Sequence, residues 1–307
     1  MIEAIGISKN YGRNRAVDDL SFEVRAGVVT GFLGPNGSGK STTMRIIMGL
    51  DRPNAGTATL DGQRYHDLKW PLREVGALLD AKAVHPGRSA HNHLLSIAQT
   101  NAIPKARVDE VLELVGLTAV AGRKVGKFSL GMSQRLGIAS ALLGDPGVLL
   151  FDEPINGLDP EGILWVRNLL KSLADEGRTI FISSHLMSEM AITATDLVVI
   201  GRGKLIADTT VDTFITSNTE ATVLVRSPEA GRLTEALSSI GASVVLSGDG
   251  SLLVTKAEPA QIGDTAHAAG IALHELSPLQ ASLEEVFMDL TSDSVDYHGG
   301  TSAGVST

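Results

Sequence analysis

The sequence predicts an α/β fold for about the first 212 residues and a smaller α+β domain after them. Strands alternate with helices from about residue 146 to 212, which is typical of a largely parallel sheet with helices on its faces. From about residue 213 the order becomes strand-helix-strand-strand-helix-strand, that of a ferredoxin-like unit. A chain of 307 residues is long enough for two domains. We therefore expect one domain at 1–212 and an accessory or regulatory domain at 213–292.

The first 65 residues are predicted to form short strands. Residues 16–24 alternate between polar and apolar side chains, and residues 28–33 form an apolar run typical of a buried strand. A glycine-rich turn follows and opens into a helix, STTMRIIMGL. From about residue 70 to 143 the pattern is mostly helical. We expect this segment to be a helical insertion into the sheet.

The rest of the chain alternates more regularly. The strand GVLLFDEP precedes a helix over residues 160–176, which is followed by the strand RTIFISSH, a further helix and the strand DLVVIGRGKLIAD. A final helix, SLEEVFMDLT, closes the accessory domain. Residues 293–307 are polar and rich in glycine, so this tail is predicted to be disordered.

The composition argues against several classes of function. The formal net charge is −9 and only 4% of the residues are aromatic, so we expect no nucleic-acid partner. The absence of cysteine excludes disulfides, thiolate catalysis and cysteine metal sites. No apolar run approaches the roughly 20 residues that cross a bilayer, and the N-terminus lacks a signal-peptide core. We therefore expect a cytoplasmic protein.

A phosphate-binding loop is predicted between the apolar strand and the following helix. The segment GPNGSGKST fits the pattern G-x-x-x-x-G-K-[ST], in which glycines let successive backbone N–H groups face one hollow at a helix N-terminus. A glycine-rich turn without a ligand is the alternative. Lys40 would reach the β- and γ-phosphates, and the Ser41 hydroxyl would ligate Mg²⁺. The predicted ATP-binding residues of this loop are Gly34, Pro35, Asn36, Gly37, Ser38, Gly39, Lys40, Ser41 and Thr42.

Two later strands end in residues suited to phosphate chemistry. The buried strand VLLFDEP ends in Asp152 and Glu153, at the carboxyl edge of the sheet where the phosphate loop also lies. We expect Asp152 to hold Mg²⁺ through water and Glu153 to take a proton from the attacking water. His185 follows the strand TIFIS at the same edge. It is expected to contact the γ-phosphate, although a structural histidine is the alternative.

The order of these motifs resembles the ATP-binding cassette of ABC transporters over about residues 2–210. The phosphate loop is followed by Ser-x-Gly-x-x-Gln-Arg, then Asp-Glu-Pro, NGLDP and Ser-His. The resemblance implies a P-loop NTPase (RecA-like) core, with an N-terminal antiparallel β-subdomain and an inserted helical subdomain. It also implies ATP hydrolysis coupled to transmembrane transport, with ATP and Mg²⁺ bound.

The family signature Leu-Ser-Gly-Gly-Gln is altered in this chain. Its serine and second glycine are retained as Ser129 and Gly131, whereas its first glycine and its glutamine are replaced by Leu130 and Met132. The resemblance implies that Ser129 and Gly131 contact ATP bound by a second subunit. Ser129 is also a plausible N-cap of the helix that it precedes, and the two roles are compatible.

Three further positions are assigned by the resemblance. Tyr11 matches the aromatic residue that stacks on adenine, although a half-buried strand tyrosine is the alternative. Asp159, in NGLDP, matches the loop that links two cassettes across a dimer. Asp80 stands where the family usually has a glutamine near Mg²⁺, and a carboxylate cannot donate the hydrogen bond that an amide donates. Asp80 is therefore either a Mg²⁺ ligand or a surface acid.

One branch of the family fits best. The form Leu-Gly-Met-x-Gln-Arg and the appended domain with SLEEVF resemble export cassettes, including bacitracin-type and drug-export ATPases, that are encoded separately from their membrane subunits. This implies a homodimer with a polytopic membrane permease, peripheral at the inner face of the cell membrane. The alternatives are a soluble cassette ATPase that drives a macromolecular machine, a non-hydrolysing binding module and a small-molecule kinase.

Overall fold

The computed structural model describes residues 1–218, 221–279 and 282–291. The chain forms two compact units, Met1–Val211 together with Leu290 and Thr291, and Asp212–Asp289. The strands are β1 Ile2–Tyr11, β2 Asn14–Val24, β3 Val29–Leu33, β4 Ala55–Leu60, β5 Val75–Leu78, β6 Val148–Asp152, β7 Thr179–Ser183, β8 Asp196–Gly201, β9 Lys204–Thr210, β10 Thr222–Arg226, β11 Ser243–Leu246, β12 Leu252–Thr255 and β13 Glu275–Leu279. The helices are α1 Lys40–Ile47, α2 Pro71–Glu74, α3 Ala90–Thr100, α4 Ala106–Leu114, α5 Leu130–Leu142, α6 Pro160–Asp175, α7 Met187–Thr193, α8 Val211–Ser217, α9 Ala230–Ser239, α10 Pro259–Ala268 and α11 Leu283–Thr291.

The first unit is built on a six-stranded sheet with the order β5-β6-β7-β3-β8-β9. All neighbouring strands are parallel except β8 and β9. Every residue of β3, β7 and β8 is buried, which explains why these strands are mostly apolar in the sequence. The carboxyl ends of β3, β6 and β7 consequently lie at one edge of the sheet, where an α/β fold binds its ligand.

A second, antiparallel sheet covers part of this core. Its order is β2-β1-β4, and Ile2 pairs with both Val24 and Leu60. Phe22 of β2 lies with its ring centroid 5.5 Å from that of Phe181 in β7. Aromatic pairs at this spacing add to the free energy of burial, so this contact fixes one sheet against the other.

The second unit has the connectivity β-α-β-β-α-β, with the antiparallel sheet order β11-β12-β10-β13. Alternate residues of its central strands, including Val223, Val225 and Val254, are buried against the two helices. Leu233 and Ile262 contribute the helical side of this core. The ferredoxin-like arrangement predicted from the order of elements is therefore confirmed.

The structure corrects three details of the prediction. The segment predicted as mostly helical contains the edge strand β5, a run of four residues too short for its periodicity to be read. The predicted single strand DLVVIGRGKLIAD is the hairpin of β8 and β9, turned at Arg202 and Gly203, which both have positive φ. Helix α8 was not predicted.

Two expectations concern the ends and the environment of the chain. The tail at 293–307, predicted to be disordered, lies outside the described residues. Within the described ranges, no helix combines the length and the apolar character needed to cross a membrane.

Candidate functional site

The loop between β3 and α1 has the backbone geometry of a phosphate cradle. Gly37 and Gly39 have φ values of 82° and 107°, a region that side chains other than glycine rarely adopt. A Cβ on Gly34 would lie 2.6 Å from the carbonyl oxygen of Ile200, so that position also requires glycine. The loop leads directly into α1, whose first-turn N–H groups have no partners within the helix. This arrangement suits an anion.

Lys40 closes the loop with its own side chain. Its Nζ donates to the carbonyl oxygen of Gly34 at 2.5 Å and to that of Pro35 at 3.2 Å. Burial lowers the pKa of Lys40. The negative charges of Glu153 and Asp152 raise this pKa, but the effect of burial is larger. The ammonium is thus held by weak carbonyl acceptors in a partly desolvated place, where an incoming phosphate would be a stronger partner.

Asp152 joins the phosphate loop to the ends of two strands. Its Oδ2 accepts a hydrogen bond from the Ser41 hydroxyl at 2.8 Å, and its Oδ1 accepts one from the Ser183 hydroxyl at the end of β7. The Ser41 hydroxyl and the Asp152 carboxylate are hard oxygen donors next to the phosphate loop. They fit the ligand preference of Mg²⁺, which binds through one or two carboxylates plus substrate phosphates.

Glu153 and His185 meet at the same edge. His185 Nδ1 lies 2.6 Å from Glu153 Oε2, and the imidazole remains about half exposed. Glu153 has a φ of 52°, an uncommon conformation for a residue other than glycine. Its backbone N–H donates to Ser183 Oγ at 3.0 Å, which holds the residue in this conformation and directs its carboxylate toward His185.

An open groove of about 430 Å³ runs along these residues. Tyr11 lies at one side of it, with 47% of its surface exposed, and its hydroxyl donates to Asp51 Oδ2 at 2.8 Å. Burial and the hydrogen bond to Asp51 raise the pKa of Tyr11. The groove is lined by Tyr11, Asn14, Ala16, Asn36, Gly37, Ser38, Gly39, Lys40, Ser41, Thr42, Asp152 and Glu153. Most of the predicted ATP-binding residues are therefore brought together.

Helix α5 carries the altered signature and is hydrogen-bonded to the segment that contains Glu153. Ser129 is its N-cap, and its hydroxyl accepts from the backbone N–H of Met132 at 3.2 Å. Within the same helix, Gln134 is buried and its Nε2 donates to the carbonyl oxygens of Glu153, at 3.2 Å, and Asn156, at 3.3 Å. The predicted capping role of Ser129 is present.

The first turn of α5 packs against the loop that contains Asp159. A Cβ on Gly157 would lie 2.7 Å from Leu130 Cγ, and a Cβ on Gly131 would lie 3.2 Å from Leu158 Cδ2. Asp159 caps α6, since its Oδ1 accepts from the backbone N–H of Gly162 at 2.9 Å. Leu130, which replaces the first glycine of the signature, thus occupies the space that the missing side chain of Gly157 leaves.

Asp80 lies at the same sheet edge but outside the lining of the groove. It follows β5, whose last residue, Leu78, pairs with Phe151 of β6. Its side chain is exposed, and its Oδ1 accepts from the backbone N–H of Lys82 at 2.8 Å. This contact stabilises a local turn.

Two residues of the site were not assigned a role from the sequence. Ser183 is fully buried and contacts both acids, and its place at the end of a strand, two residues before His185, was the available signal. Gln134 is a buried polar residue in a helix, which predicts a specific partner but not its identity.

Comparison with known proteins gives the family. A family described as "ABC transporter" matches residues 17–156, and one described as a domain of unknown function matches residues 221–284. The chain is 36% identical over 299 residues to the uncharacterized ABC transporter ATP-binding protein YhcH of Bacillus subtilis. The matched region covers 95% of this chain and 96% of the relative. The chain belongs to the ABC transporter ATP-binding proteins. The predicted family, fold class and ATPase activity are confirmed.

Other relatives of this cassette are named for what they transport. It is 43% identical over 211 residues to the bacitracin transport ATP-binding protein BcrA of Bacillus licheniformis, covering 68% of this chain and 69% of the relative. It is 34% identical over 298 residues to the Nod factor export ATP-binding protein I of Burkholderia orbicola, covering 94% and 96%. The dimeric bacterial cassette MJ0796 is similar in structure, with a TM-score of 0.64 and 25% identity over 69% of this chain and 99% of that one. MJ0796 has also been solved in a post-hydrolysis state with ADP and Pi.

Proposed function

We propose that this ATPase cassette powers the export of a substrate through a separate polytopic membrane subunit, and that it works as a peripheral protein at the inner face of the cell membrane. One relative is named for the transport of bacitracin and another for the export of a Nod factor. These names support an export function for the present chain. These similarities extend beyond the phosphate loop, since the Nod factor export relative covers 94% of this chain. The alternative is a soluble cassette ATPase that drives a macromolecular machine.

The catalytic part of the proposal rests on one contact, the 2.6 Å approach of His185 Nδ1 to Glu153 Oε2 at the edge of the groove. In this proposal the loop 34–42 and Lys40 hold the phosphates, and Tyr11 stacks on the base. The Glu153 carboxylate accepts a proton from the attacking water, and His185 orients that carboxylate and contacts the γ-phosphate. Hydrolysis then depends on positioning and charge, because the protein forms no covalent bond to the substrate.

The same proposal assigns the metal-binding residues. Ser41 and Asp152 hold Mg²⁺, with Asp80 as a further candidate at the same sheet edge. When bound, the ion neutralises developing negative charge on the phosphates. The Ser183 hydroxyl, which donates to Asp152, keeps this carboxylate turned toward Ser41.

We also propose that two copies act together. The dimeric structure of MJ0796 supports a homodimer. In the proposed homodimer, Ser129 and Gly131 of one copy contact ATP held by the other, and Asp159 lies in the loop that links the copies. Residues 1–212 would form the cassette, with its helical subdomain at about 70–143, and residues 213–292 an accessory domain.

Two substitutions test the catalytic assignment in the purified full-length chain. Lys40→Ala removes the ammonium that faces the phosphates, and we expect it to weaken ATP binding by at least about tenfold. Glu153→Gln retains shape but not basicity, so we expect normal ATP binding, a loss of turnover of about a hundredfold or more and accumulation of an ATP-bound dimer. Equilibrium dialysis, phosphate release and light scattering measure the three quantities.

The matched control is Glu235→Gln, which makes the same chemical change at an exposed position of α9. It should bind and hydrolyse ATP as the unmodified chain does. Wild-type turnover by Glu153→Gln would identify another group as the base. Normal ATP affinity in Lys40→Ala would reject the phosphate site.

The transport assignment is tested in the native host. After fractionation and mild-detergent extraction, affinity purification of this chain should recover a polytopic membrane protein in roughly equal amount. Recovery of ribosomes or DNA from the soluble fraction would instead support the alternative. Recovery of the membrane protein should persist with Glu153→Gln, because the substitution blocks turnover and not assembly.

A further inference from the structure

A second cavity lies in the first unit, between the end of α1, β4 and the turn at Tyr65–Asp67. Its volume is about 580 Å³, against about 430 Å³ for the nucleotide groove. None of the roles proposed above uses it. Ile46 and Ile47, at the end of α1, form an apolar part of its lining.

The cavity depends on a glycine. Gly49 has a φ of 65°, and a Cβ at this position would lie 3.0 Å from His66 Cε1 and 3.1 Å from Tyr65 Cδ1. The missing side chain therefore lets the two rings approach the end of α1. The ring centroids of Tyr65 and His66 are 6.2 Å apart in an edge-on arrangement. Tyr65 and His66 thus line the cavity on the side of this turn.

The charges around the cavity favour an anion. Arg52 and Arg64 both line it, and in the described part of the chain neither guanidinium makes a hydrogen bond or an ion pair. Both residues are exposed, so their guanidiniums are accessible to a ligand. His66 adds a ring that can donate to an anion.

The one carboxylate among the described lining residues does not cancel these charges. Asp51 accepts a hydrogen bond from Arg45 Nε at 2.7 Å and another from the Tyr11 hydroxyl at 2.8 Å. The hydrogen bonds from Arg45 and Tyr11 lower the pKa of Asp51. Asp51 is therefore already paired with groups outside the lining, and Arg52 and Arg64 are the lining cations left without a carboxylate partner in the described residues.

From this geometry we propose that the cavity binds an organic phosphate, with its phosphate group held by Arg52 and Arg64 and its apolar part against Ile46, Ile47 and Tyr65. Arginine forks match phosphate oxygens in a bidentate way, and a phosphate monoester carries close to two negative charges for two cations. The volume exceeds what inorganic phosphate needs. A soluble phosphate ester and the headgroup of an anionic phospholipid share this chemistry.

The test uses the full-length chain with Lys40→Ala, which weakens binding in the nucleotide groove. One probe is inorganic pyrophosphate, titrated by calorimetry. The other is a suspension of phosphatidylcholine vesicles with or without phosphatidylglycerol, in a sedimentation assay. We expect Arg52→Ala/Arg64→Ala to reduce binding of at least one probe by about tenfold or more, the loss expected for charge-assisted hydrogen bonds.

The matched control is Arg123→Ala/Lys124→Ala, which removes two exposed cations from another surface of the same unit. It should bind both probes as the Lys40→Ala chain does. Selective loss of pyrophosphate binding supports a soluble phosphate compound as the ligand, and selective loss of vesicle binding supports a lipid headgroup. If neither probe binds, or if both double variants lose binding equally, the proposal is wrong. Circular dichroism and the melting temperature establish that each variant is folded.

Discussion

The side-chain amide of Gln134 donates a hydrogen bond to the backbone carbonyl of Glu153 at 3.2 Å. Gln134 lies in α5, the helix whose N-terminus carries Ser129 and Gly131, and only 6% of its surface is exposed. The same amide also reaches the carbonyl of Asn156. One buried side chain thus connects the signature helix to the backbone that carries the proposed base and to the start of the loop that contains Asp159.

This contact predicts a catalytic effect of Gln134→Leu. The change leaves two carbonyls without their donor in a buried place, which costs about 1–3 kcal/mol per group. We expect kcat to fall by about tenfold, which corresponds to about 1.4 kcal/mol in the barrier, with little change in KM for ATP. Steady-state kinetics of the purified chain measures both constants.

Ser140→Ala is the control for this substitution. Ser140 lies farther along α5, and its hydroxyl donates to the carbonyl of Leu136 within the same helix. It should lower stability slightly and leave kcat unchanged. Equal kinetic effects of the two variants would mean that Gln134 only stabilises the helix.

The packing of Leu130 on Gly157 predicts a large effect of Gly157→Ala. The new Cβ would lie 2.7 Å from Leu130 Cγ, and the backbone φ is 75°. Left-handed backbone alone costs about 1–2 kcal/mol, and the overlap adds to it. We expect the free energy of unfolding, measured in urea, to fall by about 3 kcal/mol.

Gly177→Ala separates the two contributions. Gly177 has a φ of 90°, but no atom beyond its chain neighbours lies within 4 Å of the position that a Cβ would occupy. This variant should lose only the conformational part of the stability. Adding Leu130→Ala to Gly157→Ala should recover only the part of the loss that comes from the overlap with Leu130. A similar loss in both single variants, with no rescue, would contradict the packing argument.

The lowered pKa of Lys40 predicts how ATP affinity depends on pH. Burial favours the neutral amine in the free chain, whereas bound phosphates favour the ammonium, so binding takes up a proton at alkaline pH. We therefore expect affinity to fall as the pH rises through this lowered value, below the ordinary 10.5 of lysine. Calorimetry in buffers of different ionisation enthalpy measures the proton uptake. Lys40→Arg, which stays charged, should show no such uptake.

His93 predicts a loss of stability in mild acid. Burial, and then the charge of Arg88, lower its pKa below the ordinary value of 6.5. Between the folded and the unfolded pKa the unfolded chain binds more protons, so the free energy of unfolding decreases as the pH falls below 6.5. Melting curves from neutral pH to about pH 5 should show a smaller decrease for His93→Gln than for the exposed control His85→Gln. Identical curves would exclude this contribution.

The elements nearest the proposed phosphate site were the most predictable. The strands that precede Gly34 and Asp152 are buried on both faces, so each is mostly apolar. The first is followed by a glycine-rich turn and the second by two acidic residues. Because these strands are parallel, their carboxyl ends lie at the same edge of the sheet. Sequence order alone was therefore enough to bring Ser41, Asp152 and His185 to one edge.

Contacts between distant segments were not predictable in this way. The edge strand β5 has only four residues, and its pairing partner β6 begins about 70 residues later, so no local pattern reveals it. The partners of Gln134 are loop carbonyls, which every residue possesses and no sequence motif marks. The space that Gly157 leaves for Leu130 likewise arises only when α5 and the loop before α6 are packed together.

The left-handed backbone of Glu153 has a consequence for the evolution of this chain. A glutamate at φ 52° is less favourable than a glycine there, so the position carries a conformational cost of about 1–2 kcal/mol. Selection for thermal tolerance alone would favour glycine at this position and would discard the carboxylate. Consensus or library-based stabilisation of the protein should therefore hold residue 153 fixed, because the substitution that relieves the backbone here also removes the proposed catalytic base.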